Sequence, residues 1–167
     1  YIADYNGQVI LKVDAATQQI TNVAGTINAY TFADGPPGTG GLARPQLVVV
    51  GADGSLYIAD HDNRRVRKVP ATGPNAGLLT TIAGGGATAP ANGAVATAAA
   101  LGFVSGVAVD PLTDEVYFSE ESSHRIWKLT QQGNTLTLIA GTGTAGFNGD
   151  QADATQGQLS TPEQLHI

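Results

Sequence analysis

The sequence predicts an all-β fold assembled from a repeated, four-stranded antiparallel meander. Three observations carry that expectation. Four apolar landmarks recur in fixed order three times along the chain. Each landmark is a short run rich in β-branched or aromatic residues and bounded by Gly, Asp, Asn or Pro, the pattern of short strands. The segments between them are rich in Gly, Ala, Thr and Pro, a composition of turns and loops rather than helices.

The first landmark is Tyr1-Ile-Ala-Asp4, repeated as Tyr57-Ile-Ala-Asp60 and Tyr117-Phe-Ser-Glu120. By subtraction these copies are 56 and then 60 residues apart, a period expected of stacked sheet repeats with long loops. The second is Val9-Ile-Leu-Lys-Val13, Val66-Arg-Lys-Val69 and Ile126-Trp-Lys-Leu129. The third is Asn22-Val-Ala-Gly25, Thr81-Ile-Ala-Gly84 and Leu138-Ile-Ala-Gly141, and the fourth is Pro45–Val50, Val104–Val109 and Pro162–Ile167. Gly51-Ala-Asp-Gly54 and Asp110-Pro-Leu-Thr-Asp114 join the fourth to the next first as tight hairpins. The Ala-rich stretch Ala94–Leu101 sits between strand landmarks and is expected to be loop.

Strands such as Leu47-Val-Val-Val50 are apolar on both faces and need cover on both sides. Radial stacking of meanders, face on face, meets that need, and this is the β-propeller. With strands lettered a to d from the axis outward, the chain reads b-c-d, a-b-c-d, a-b-c-d and a lone a. The repeats span 1–44, 45–103 and 104–161, and 162–167 begin a further blade. Three blades leave open apolar faces, so the expected partners are more blades of the same polypeptide or a second copy. In a two-fold dimer, Pro162–Ile167 of one chain would pair with the Tyr1 strand of the other. The chain opens on Tyr1 inside a landmark and reads as a piece of a longer polypeptide.

Composition narrows the function. Of 167 residues 42% are hydrophobic and 13% charged, enough apolar mass for a real core. No run of about 18 apolar residues is present to span a membrane. The absence of cysteine excludes a disulfide framework, Cys-ligated zinc and thiol chemistry. A net charge of −6 repels phosphate backbones, so nucleic acid is not an expected partner. The basic run Arg64-Arg65-Val66-Arg67-Lys68 alternates faces on a strand and reads as solvated surface.

Tyr57-Ile-Ala-Asp-x-x-Asn-x-Arg-Val66, the segment Ala140–Asp150 and the stop Leu159-Ser-Thr-Pro162 together resemble the NHL repeat. The resemblance covers essentially the whole chain. It implies a six-bladed propeller with one repeat per blade, and extracellular bacterial repeat proteins among the relatives. The chain departs from the pattern where Val9 stands in the place of Arg65 and Arg125, and where Glu120 replaces the Asp of Asp4 and Asp60. The family also includes an amidating lyase with zinc in its channel, but its His-bearing motifs are missing here.

The set Asp4, Asp60 and Glu120 ends strand b in every repeat. Each is expected to accept from backbone N–H groups of the following turn, with Arg65 and Arg125 lying against these carboxylates. No catalytic residue and no cofactor site is expected. The lesser reading is zinc or calcium at His166, Asp150 and Asp153, of which His166 replaces a small apolar residue of strand a. The loop of Gly146–Asp150 reads as held by Phe147 packing down.

The expected function is a non-catalytic scaffold that binds protein or carbohydrate through its long d–a loops, outside the cell. Those loops run over Ile27–Gly41, Ala87–Ala100 and Thr142–Gln158, with Phe32, Asp34, Asn92, Phe147, Asn148 and Asp150 as candidate contact positions. Two alternatives stand beside it. One is a structural subunit closing into a ring or extracellular fibre, and the other is a propeller lyase or hydrolase with a metal in its channel.

Overall fold

The computed structural model describes residues 1–130, 132, 134–150 and 153–167, and the strands follow the landmarks. Strands β1 (Ile2–Asp4), β2 (Val9–Val13) and β3 (Ile20–Gly25) form a three-stranded sheet. The second sheet is β4 (Pro45–Val50), β5 (Leu56–Asp60), β6 (Arg65–Val69) and β7 (Thr80–Gly84). The third is β8 (Val104–Val109), β9 (Val116–Glu120), β10 (Arg125–Thr130) and β11 (Thr135–Ala140). Every neighbouring pair is antiparallel, and each sheet is a simple meander.

Alternation along β5 shows how the sheets stack. Leu56 and Ile58 point to a core shared with the first sheet, where Ile10, Ala24, Leu42, Val69 and Leu79 are buried. Tyr57 and Ala59 point the other way, to a core with Val107, Phe118, Trp127, Leu129 and Leu136 of the third sheet. A period of two on a strand places successive side chains on opposite faces, so the middle sheet is covered on both. β4 packs beside β8, and β1 beside β4, in a propeller-like arrangement of blades.

The Ile-Ala-Gly landmark has a steric cause. Gly25, Gly84 and Gly141 all adopt a left-handed φ, at 88°, 83° and 94°. A Cβ at each would run into the carbonyl oxygen of Gln8, Arg64 and His124 respectively, the last residue of the b–c turn. Only glycine lets strand d close onto that turn. The turn residues Gln8, Arg64 and His124 are themselves left-handed, and of the three only His124 is of a type enriched in that region.

Two expectations are corrected here. Among the described residues there is no α-helix, but the Ala-rich segment expected to be loop contains a 3-10 turn at Ala96–Ala98, started by Ala96 N–H donating to Asn134 O at 2.9 Å. Pro162–Ile167, expected as a strand a, lie outside any sheet. A strand exists by hydrogen bonding to a neighbour. The segment lies against β8 and β9, where Ser119 Oγ–H donates to Glu163 O and Gly106 leaves room for the same carbonyl. No helix is long and apolar enough to cross a membrane among the described residues.

Candidate functional site

Strand direction alternates within a meander, so the b–c turns and the long d–a connections gather at one end of the sheets. Residues 5–8, 61–64 and 121–124 meet there with residues 26–44, 85–103 and the third connection. Gln151 and Ala152, inside that third candidate loop, lie outside the described residues.

The carboxylates beneath this end accept from backbone N–H groups. Asp4 Oδ1 accepts from Gly7 N–H at 2.8 Å, the turn bond expected of it. Asp60 and Glu120 behave differently. Asp60 accepts from Ala43 N–H at 2.7 Å and Glu120 from Gly102 N–H at 2.6 Å, both on the chain entering strand a rather than on the following turn. The cause is topological, since only the complete blades have a strand a whose incoming backbone needs an acceptor.

Neither Arg65 nor Arg125 pairs with these acids. Arg65 donates to Asn63 O at 3.0 Å and Arg125 to Thr142 O at 3.1 Å. The partners of the acids are instead residues seven positions on: Arg67 Nη1–H donates to Asp60 Oδ2 at 2.8 Å, and Trp127 Nε1–H to Glu120 Oε2 at 2.8 Å. Arg67 is completely buried. Its other bonds go to Gly41 O (2.9 Å), Ala33 O (3.1 Å) and Asp34 Oδ1 (2.8 Å), so it staples the first long connection to β6. Burial pushes the Asp60 carboxyl up, against the pull of the Arg67 guanidinium, Ala43 N–H and Asn63. Sequence reasoning dismissed Arg67 as solvated surface. The signal available was its register with Trp127, seven residues after the last acid of β9.

Above these anchors lies an exposed row of cations and rings. The Arg44 guanidinium sits 5.6 Å from the Tyr5 ring and 5.8 Å from the Tyr30 ring. Tyr30 beside it raises the pKa of Arg44 further. Arg65 covers the Phe32 ring at 5.0 Å and Arg64 the Phe103 ring at 5.1 Å. His61 stacks on the other ring system of this row, with centroids 4.7 Å from Phe103. Its Nδ1 lies 2.6 Å from Asp62 Oδ1 and its Nε2 3.3 Å from Glu121 Oε2, which ties the second blade to the third. Tyr30 and Phe32 remain 59% and 65% exposed. Planar cations against aromatic faces hold such rings in fixed orientation while leaving an edge and a face to solvent.

The remaining candidate positions divide. Asp34 and Asn92 are used inside the fold, Asp34 by Arg67 and Asn92 by Leu138 N–H at 2.7 Å. Asn148 closes its own loop, donating to Gln156 O (3.0 Å) and accepting from Gln158 N–H (2.8 Å). Phe147 does not pack down and is 79% exposed. Asp153 caps the 3-10 turn Ala154–Gln156 by accepting from Thr155 N–H and Oγ–H. Asp150 and His166 are exposed. Among the described residues no group of three or more His, Asp or Glu side chains is disposed to hold a metal ion.

Comparison with family models and with curated proteins finds no match. Solved structures do match. One is a structural-genomics protein of unknown function from Bacteroides thetaiotaomicron VPI-5482, with a TM-score of 0.70 at 14% identity over 97% of this chain and 38% of that one. An auxiliary nutrient binding protein from the same organism matches with a TM-score of 0.66 at 21% identity, over 97% and 38% of the two chains. Another auxiliary nutrient binding protein, from Bacteroides ovatus ATCC 8483, has a TM-score of 0.56 at 20% identity over 80% and 33%. At these identities the likeness is one of fold. The chain spans less than two fifths of the length of each of these structures.

Proposed function

We propose that the chain is part of an NHL-type propeller that binds a carbohydrate on the end bearing the b–c turns and d–a connections, outside the cell. One observation carries this reading: the exposed rings of Tyr5, Tyr30 and Phe32, each fixed by Arg44 or Arg65. Flat apolar faces stack on the C–H side of a sugar ring, and neighbouring guanidinium groups donate to its oxygens. Preset rings lose little side-chain freedom on binding. The nutrient-binding names of two fold neighbours agree with a ligand-binding role.

The test is affinity electrophoresis through gels containing soluble polysaccharides of neutral and acidic type. The wild-type chain is expected to be retarded by at least one of them. Tyr30→Ala and Phe32→Ala should each weaken that retardation about tenfold or more, with an unchanged unfolding midpoint, because both rings are exposed. Retardation by none, or retardation untouched by both substitutions, overturns the reading and leaves a protein ligand as the alternative for this face.

A further inference from the structure

Arginine and lysine divide the molecule between them. All five arginines lie toward the end bearing the b–c turns: Arg44 on the first connection, Arg64 and Arg65 where the turn enters β6, Arg125 at the start of β10, and Arg67 buried beneath them. The three lysines, Lys12, Lys68 and Lys128, each stand near the opposite end of strand c. Lys68 and Lys128 have carboxylates there, Asp53 at 4.0 Å and Glu115 at 3.0 Å.

The arginine end is left with unmatched positive charge. Arg67 is taken up by Asp60 and Asp34, and Arg44 by Asp62 at 3.2 Å. The acids of the second and third b–c turns, Asp62 and Glu121, are turned to the two ring nitrogens of His61, and Glu121 also accepts from Ser105 Oγ–H. Arg64, Arg65 and Arg125 therefore have no carboxylate partner among the described residues. The net charge of −6 does not cancel them, because charges more than about 8 Å away are largely screened at physiological salt.

These guanidinium groups are held in place with donors to spare. Arg64 lies over the Phe103 ring and Arg65 over the Phe32 ring, and a stacked guanidinium keeps the N–H groups along its rim. Arg65 uses one donor on Asn63 O and Arg125 one on Thr142 O, while Arg64 is exposed and engages no acceptor among the described residues. Gly85 and Gly143 give Arg65 and Arg125 matching backbone seats, where a β-carbon would strike the guanidinium. A planar fork of donors beside an aromatic face matches a pyranose that carries a carboxylate, with ring set on ring and carboxylate on fork. A neutral sugar would leave the same cations uncompensated.

We propose that the polysaccharide bound by this face is acidic, with Arg64 and Arg65 taking the carboxylates of hexuronate units whose rings stack on Tyr30 and Phe32. This rests on the carbohydrate reading above and names its ligand class.

The test is affinity electrophoresis through gels containing polygalacturonate or alginate, each run beside its own methyl ester. Polyglutamate serves as a polyanion without sugar rings. At least one acidic polymer is expected to retard the chain about tenfold more strongly than its ester does, since the ester removes the charged acceptor. That retardation should fall with added salt. Arg64→Gln and Arg65→Gln should each weaken it about tenfold. Lys12→Gln makes the same charge change at the far end and should leave it as in the wild type. Arg64 is exposed, so its substitution should not move the unfolding midpoint. The comparison of acid with ester needs no variant, so it decides the matter even if Arg65→Gln fails to fold.

Equal retardation by acid and ester, retardation by neutral polysaccharides alone, or indifference to both arginine substitutions overturns the acidic ligand and leaves the carbohydrate reading standing. Polyglutamate retarding the chain as strongly as either acidic polymer also overturns it, as plain charge attraction. Retardation by no polysaccharide of any kind overturns both.

Discussion

Replacing Arg67 by Met isolates the energetics that hold the first long connection in place. The guanidinium is fully buried and donates to four oxygens: Gly41 O, Asp60 Oδ2, Ala33 O and Asp34 Oδ1. Methionine keeps most of the stem's packing and removes every donor. Asp60, also fully buried, would keep Ala43 N–H and the Asn63 amide but lose its countercharge. Stranding one member of a buried ion pair costs about 3–5 kcal/mol. A domain's whole stability is only about 5–15 kcal/mol. For a chain of this size that loss converts to a drop in the melting midpoint of roughly 6–20 °C.

Urea titration followed by tryptophan fluorescence reads the effect, because Trp127 is buried in the core next to the one Arg67 serves. The companion Arg67→Met/Asp60→Leu chain removes both charges and should recover part of the loss, as buried pairs exchanged for apolar residues commonly do. A single substitution costing under about 1 kcal/mol would refute the claim that the pair anchors the connection. A double variant no better than the single would show that the lost loop bonds, rather than the stranded carboxylate, carry the cost.

Two further outcomes follow from the same geometry. Trp127→Phe removes the 2.8 Å bond to buried Glu120 while keeping an aromatic ring, and should lower stability by about 2–3 kcal/mol in the same titration. The turn carboxylates Asp14, Asp110 and Asp153 are held below their ordinary value of 3.8, by Thr17 N–H, Leu112 N–H and the Thr155 side chain respectively. Their folded pKa is depressed, so what they contribute is present above 3.8 and is lost as pH falls through the lowered value. Carboxyl-carbon NMR titration should give midpoints below 3.8 for all three, and a midpoint at or above it for any one would contradict the turn geometry there.

Much of the fold was legible in the residues. Tyr57-Ile-Ala-Asp60 and its copies mark strand b because β-branched and aromatic runs bounded by turn residues have few other uses. The Ile-Ala-Gly ends were legible as punctuation, but their reason, a left-handed glycine pressed on the b–c turn, needed coordinates. The candidate site was read less well. Arg65 and Arg125 were expected to meet the acids because they lie near them in sequence. Arg65 pairs directly with Asp60 across the β5–β6 register and shares a face with Arg67, but its guanidinium turns outward to Asn63 O and the Phe32 ring, and Arg67, two residues further along the strand, is the one that reaches the buried carboxylate. Asp34 and Asn92 were expected as ligand contacts, and each is consumed as a latch to the following blade.

What the residues determined by themselves was local and periodic: which segments extend, where they turn, and that each sheet must be covered on both faces, since alternation and apolar content are properties of the chain's own covalent order. What only the tertiary structure decided was which side chains meet, within a blade and across blades. Asp60 finds Arg67 and Ala43, His61 finds Phe103 and Glu121, and Asp34 finds Thr81, from positions up to 60 residues apart. Those pairings depend on how loops of unequal length fold back over neighbouring sheets, a matter of packing in three dimensions that no repeat period encodes. The same packing buries Leu79 and leaves Ile20 in water at the same place in the repeat.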